Sequence, residues 1–163
     1  MRSYKDKIKE ISELTRILEG EKKKGRIVVF TNGCFDLVHV GHIHYLSKAK
    51  EKGDILVVAL NSDKSVKKLK GTKRPLINEK DRLEIVASFG FVDYVVLFDE
   101  DTPRRIIKQV KPQILVKGGD YKIDEIVGRE FVEKEGGEVT TIPPTEGRST
   151  TDLINRIVSK HGK

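Results

Sequence analysis

Five short apolar runs alternate with segments of helical periodicity, and this alternation constrains the chain more than any other feature. Ile27-Val28-Val29-Phe30 is apolar at every position. It has no solvent face and reads as a strand covered on both sides, as strands of a parallel sheet are. Similar runs lie at Ile55–Leu60, Tyr94–Phe98, Ile114–Lys117 and Val139–Ile142. Helical segments fall between them at Gly41–Lys52, Glu79–Phe89, Thr102–Val110 and Ile123–Glu135, and Ser149–Lys160 closes the chain. Parallel strands need crossover connections, so the pattern predicts an α/β fold: a five-stranded parallel sheet with helices on both faces. Tyr4, Ile8, Ile11, Leu14 and Leu18 recur at helical spacing and predict an N-terminal helix ending at Gly20. The expected organisation is an N-terminal helix and basic linker over 1–24 and one domain over 25–163. Residues 61–78 are expected to form a long loop, a kind usually functional in a compact domain.

Composition narrows the function classes. The chain has 163 residues, room for a single domain. Its one cysteine excludes an intrachain disulfide. The longest apolar run, Ile55–Leu60, is far below the roughly 20 residues of a membrane-spanning helix. The segment Met1–Lys7 has no apolar stretch of a secretion signal. The chain is expected to be soluble and cytoplasmic. The net charge of +7 calls for an anionic partner. It is local: residues 61–82 hold 8 basic and 3 acidic residues, whereas 83–140 hold 8 basic and 12 acidic. No aromatics interleave with the lysines, and no nucleic-acid recognition motif is present.

Open parallel sheets bind ligands beyond the carboxyl ends of their strands. The first such loop reads Thr31-Asn32-Gly33-Cys34-Phe35-Asp36-Leu37-Val38-His39-Val40-Gly41-His42. Two histidines flank a glycine where a strand gives way to a helix. Helix N-termini attract anions, and Gly41 admits a phosphate to the backbone. A metal reading of His-x-x-His is weak, since Asp36 is the only close carboxylate. Ser149, Thr150 and Thr151 open the last helix behind Gly147 and form a second anion site or an ordinary cap. Lys117-Gly118-Gly119-Asp120 either lies against a nucleobase and ribose or is a plain turn. Lys64 and Lys67 read as solvated, Lys70 as functional, Cys34 as a small packed residue. His44 is given no role.

These residues resemble the nucleotidyltransferase superfamily with the His-x-Gly-His signature. The resemblance runs from about Gly25 to the end, through Asn61-Ser62-Asp63, Leu69-Lys70-Gly71, Arg74-Pro75 and Thr145-Glu146-Gly147-Arg148-Ser149-Thr150-Thr151. It is nearest to the adenylyltransferase domain of ADP-heptose synthase, here without room for the sugar kinase often fused to it. The resemblance implies a Rossmann-like domain transferring AMP from ATP to D-glycero-β-D-manno-heptose 1-phosphate. It implies His39, His42 and Lys70 as catalytic donors. It places Thr31, Asn32, Phe35, Gly41, Lys117, Gly118, Asp120, Ser149 and Thr150 at the nucleotide. Asp36, Asn61, Asp63 and Arg82 fall to the sugar phosphate, with a surface ion pair as the alternative for Arg82. Mg²⁺ is expected with ATP, held by substrate oxygens and water and not by protein side chains. A separate sugar kinase is an expected partner, nucleic acid and membrane are not, and the apolar stripe of the N-terminal helix suits either a homodimer or the domain itself. Two alternatives stand beside this reading: a cytidylyltransferase for glycerol 3-phosphate, from which Lys117–Tyr121 and Pro144 depart, and a non-catalytic nucleotide- or nucleic-acid-binding module.

Overall fold

Strand parity builds the core. In the computed structural model, which describes residues 3–162, alternate residues of each strand face opposite helix layers. Met1 and Arg2 of the N-terminal segment, and Lys163, lie outside the described residues. The strands are β1 (Val28–Gly33), β2 (Ile55–Asn61), β3 (Tyr94–Phe98), β4 (Ile114–Gly118) and β5 (Glu138–Ile142). They form one parallel sheet in the order β3-β2-β1-β4-β5. The helices are α1 (Ile11–Lys23), α2 (Val40–Lys50), α3 (Asp63–Lys70), α4 (Glu79–Ala87), α5 (Arg104–Val110), α6 (Arg129–Lys134) and α7 (Thr150–His161). Val28, Phe30, Val57, Ala59 and Leu115 pack with Leu14 and Leu18 of α1, Ile107 and Val110 of α5 and Val132 of α6. Val29, Leu56, Val58, Leu60 and Val116 pack with Leu46 and Ala49 of α2 and Val86 and Ala87 of α4. The predicted α/β architecture is the observed one.

Three local expectations change. The N-terminal segment is not one helix. A 3₁₀ turn at Tyr4–Lys7 precedes an extended Ile8, which bridges to Val95, and α1 starts at Ile11 and runs through Gly20 to Lys23. Leu14 and Leu18 are fully buried, so α1 belongs to the domain's core. Residues 61–78 are not a plain loop, because α3 lies within them. Ser62 caps it by accepting from Ser65 N at 3.1 Å, and few apolar residues mark it beyond Val66 and Leu69. The segment 123–135 splits into a 3₁₀ turn, Ile123–Glu125, and α6, with Gly128 at φ +91° between them. A Cβ on Gly128 would lie 2.7 Å from Ile107, so glycine is needed there for space as well as for backbone.

The chain order reverses between β1 and β4, and there the sheet opens. β1 pairs with β2 from Val28↔Ile55 to Gly33↔Leu60, but with β4 only at Val29↔Ile114 and Phe30↔Leu115. Beyond that point the Tyr45 hydroxyl from α2 donates to Val116 O at 3.2 Å and lies 2.7 Å from Thr31 Oγ1. It closes one side of the gap and leaves the other side open. Tyr45→Phe is expected to leave both groups unmatched and to lower unfolding stability by about 1–3 kcal/mol, measured by urea denaturation.

Candidate active site

The turn from β1 to α2 is built by Phe35, which stands in the left-handed region at φ +48°. It delivers two histidines to the start of α2 in a reciprocal cap. His39 is the N-cap, and its Nδ1 accepts from Gly41 N at 3.2 Å. His42 Nδ1 accepts from His39 N at 3.3 Å. With Nδ1 an acceptor on both rings, each neutral imidazole carries its proton on Nε2. The rings lie 4.0 Å apart between centroids, and Phe35 lies 5.3 Å from His42. Burial, then the neighbouring His39 and Lys70, lowers the His42 pKa to about 4. Burial and Arg148 also lower that of His39. Both rings are therefore neutral donors at pH 7. Gly41 makes room for this: a Cβ there would lie 2.9 Å from the His39 ring.

The start of α7 abuts the same turn. A Cβ on Gly41 would lie 3.3 Å from Arg148 Cβ, and Thr150 Oγ1 donates to Leu37 O at 3.4 Å. Ser149 caps α7, accepting from Asp152 N at 3.0 Å and donating to Asp152 Oδ2 at 2.7 Å. Both hydroxyls thus serve the fold, and what α7 offers an anion is its first-turn N–H groups and dipole. His44, given no role by the sequence, lies 3.3 Å (Nδ1) from Thr145 Oγ1 and ties α2 to the loop before α7. Only the three-dimensional approach of residues 101 apart reveals it.

Four residues expected at ligands are framework instead, because their polar atoms are buried and already bound. Asp36 accepts from Leu76 N and Ile77 N at 2.8 and 2.9 Å and from Arg74 Nε at 2.5 Å, anchoring the loop before α4. Burial pushes its pKa up, but these donors outweigh it and hold it below the usual carboxylate value. Arg82 is wholly buried, neither at the sugar phosphate nor in a surface ion pair. It donates to Cys34 O (2.6 Å), Asn61 O (2.8 Å), Ile77 O (3.0 Å) and Asp63 Oδ1 (2.8 Å). Asn61 Nδ2 donates to Ser65 Oγ at 3.0 Å. Thr31 is spent on Tyr45, as described above. Asp63 is half-exposed but is committed to Arg82.

The charged side chains sort differently. Lys64 and Lys68 pair with Asp99 and Asp101 on the loop after β3. Lys70, at the end of α3, is exposed and has no ion pair among the described residues, and its charge reaches both His42 and Cys34. Burial raises the Cys34 thiol, which suits a packing role. Asp120 folds back so that its carboxylate would meet a Cβ on Gly118 at 2.7 Å. Lys117 is nine-tenths buried beside Tyr121, its ammonium 5.3 Å from the ring centroid, and has no hydrogen-bond acceptor. Asn32 Oδ1 is buried without a partner. Among the described residues no three His, Cys, Asp or Glu side chains gather as a metal-ligand set. No described helix is long and apolar enough to cross a membrane.

Two helix N-termini and paired neutral histidines face the crevice at the switch point, an arrangement of donors suited to an anion. Residues 30–156 match the family described as cytidylyltransferase-like. The chain belongs to this family, within the nucleotidyltransferase superfamily, and is a nucleotidyltransferase. It is 54% identical over 157 residues to the bifunctional protein HldE of Geobacter metallireducens, covering 96% of this chain and 32% of that protein. It is 56% identical over 155 residues to HldE of Citrifermentans bemidjiense, covering 95% and 32%. The chain thus spans about a third of the length of these relatives. Among solved structures, the lipopolysaccharide core biosynthesis protein of Thermoplasma volcanium matches with a TM-score of 0.62 at 33% identity, over 76% of this chain and 99% of that one. A pantoate-beta-alanine ligase from Francisella tularensis, at 15% identity and a TM-score of 0.58 over 93% and 77%, shares the fold.

Two outcomes follow from this geometry. Arg82→Met is expected to lower stability by about 3–5 kcal/mol and to reduce turnover, read by urea melts and steady-state rates. A ligand-contact role would raise KM and leave the melt in place. The His42 ring should titrate by NMR with a midpoint near 4, against about 6.5 in the unfolded chain. Its folded pKa lies below the unfolded one, so its contribution to stability is complete above about pH 6.5 and is lost as pH falls toward 4.

Proposed function

We propose that this domain transfers AMP from ATP to D-glycero-β-D-manno-heptose 1-phosphate, giving ADP-heptose and pyrophosphate. The observation that carries the chemistry is the reciprocal His39–His42 cap, which leaves two Nε2–H donors beside the α7 N-terminus. The acceptor's phosphate oxygen attacks the α-phosphorus of ATP. The bond from that phosphorus to the bridging oxygen breaks, and pyrophosphate leaves. The attacking oxygen is already anionic, so no general base is required. What the chain supplies is alignment and donors for charge on the transferred and leaving phosphates. His39 and His42 donate through Nε2–H, Lys70 adds positive charge, and the α2 and α7 N-termini add backbone N–H groups. Phe35 and Gly41 shape the backbone that approaches the phosphates. Gly118 and Asp120 lie where ribose or base is held. In this reading Mg²⁺ enters with the ATP that chelates it.

The choice of acceptor and base is supported by relatives that carry the name HldE and by Lys117-Gly118-Gly119-Asp120-Tyr121 after β4. The acceptor would come from a sugar kinase. The family's description favours a second reading, a cytidylyltransferase, for which glycerol 3-phosphate is the candidate acceptor. Pyrophosphate release, measured for ATP and CTP against a panel of sugar and alditol phosphates, separates the two. ATP with the heptose phosphate is expected to be fastest, and CTP with glycerol 3-phosphate working best would overturn the assignment. His42→Ala is expected to lower kcat by about 10²-fold or more.

A further inference from the structure

Two residues at the switch point are left unmatched: the Asn32 side-chain oxygen is buried without a hydrogen bond, and the largely buried Lys117 has no hydrogen-bond acceptor among the described residues. Asn32 ends β1 and Lys117 ends β4, on the two strands that part at the switch point. The β1–β4 register, continued two residues past its last pair, Phe30↔Leu115, assigns Asn32 and Lys117 to the same level of the two parting strands. By strand parity both side chains stand on the face of Phe30 and Leu115, away from α2. Tyr45 seals the gap on the α2 side only. Lys117 is nine-tenths buried along its length and has no acceptor among the described residues, which leaves its ammonium free for an anionic ligand. Asn32 Oδ1 is the only buried side-chain oxygen or nitrogen without a hydrogen bond among the described residues. Turning the amide over would leave its nitrogen unmatched instead. The switch point thus presents a donor that suits an anionic oxygen and, at the same level of the sheet, an acceptor that suits a hydroxyl.

We propose that Lys117 and Asn32 form the acceptor subsite, Lys117 Nζ donating to a phosphoryl oxygen and Asn32 Oδ1 accepting from the adjacent sugar hydroxyl. This rests on the nucleotidyl-transfer reading above and moves both residues from the nucleotide to its co-substrate. The reason is directional. The triphosphate faces the α2 and α7 N-termini, and in-line displacement puts the attacking group opposite the leaving pyrophosphate. The proposed subsite sets the attacking group on the Lys117–Asn32 side of the sheet, the side away from α2. A sugar 1-phosphate with a hydroxyl on C2 presents both required groups on neighbouring atoms.

The test uses Lys117→Met, Lys117→Arg and Asn32→Ala in the full chain. With saturating ATP, Lys117→Met is expected to raise the KM for the heptose 1-phosphate at least tenfold and Lys117→Arg to recover part of it. The Kd for ATP, measured without acceptor, should stay within twofold, which also shows that the variant is folded. Parallel loss of ATP affinity, or an unchanged acceptor KM, overturns the proposal. Should Lys117→Met fail to fold, Asn32→Ala decides. Wild type should discriminate at least tenfold against the 2-deoxy acceptor and Asn32→Ala should not, whereas equal discrimination in both overturns the subsite. If wild type releases no pyrophosphate with any acceptor, the transfer reading fails. Calorimetric binding of the same sugar phosphate, lost in Lys117→Met or retained by it, then decides the subsite separately.

Discussion

The buried guanidinium of Arg82 is the contact on which the site depends. Its hydrogen bonds reach the β1–α2 turn at Cys34, the end of β2 at Asn61, the start of α3 at Asp63 and the loop before α4 at Ile77. The carbonyls of these segments would be costly to bury unpaired. A planar, permanently charged fork with five donors satisfies several of them at once, which a lysine cannot. Asp36 does the complementary work with its carboxylate, gathering Arg74, Leu76 and Ile77. Together they fix the turn that presents His39 and His42.

That rigidity explains why the histidines act as neutral donors. Each ring is clamped by a backbone N–H on Nδ1, and burial keeps the second proton off. Positive charge at the site is thus left to lysines and the helix ends. Shape and dipoles set in advance suit a reaction whose nucleophile is already charged.

Much of this was legible in the chain. The five strands and their parallel arrangement follow from runs too apolar to have a wet side, and the His-x-Gly-His turn announces a strand-to-helix phosphate site. Other parts were not. α3 has only Val66 and Leu69 to mark it, and its cap and burial come from contacts with β2 and the loop after β3. The N-terminal helix looked continuous because Ile8 fits the helical period, yet Ile8 gains more by bridging to Val95 at the sheet's edge. Arg82 and Asp36 looked like ligand residues because charged side chains in a loop-rich region usually meet solvent or substrate.

By itself the sequence determined which segments are strand or helix, since side-chain periodicity and caps act over a few residues. It also determined that anion chemistry gathers at the carboxyl ends of the strands. Only the tertiary structure decided which polar residues face the crevice and which hold it open. Whether a side chain such as Asp36, Arg82 or Thr31 is free for a ligand depends on backbone groups brought to it from distant segments. That Asn32 and Lys117, 85 residues apart, come to the same level of the sheet is of the same kind. It arises because β4 crosses over to lie against β1, and nothing local to either residue requires it.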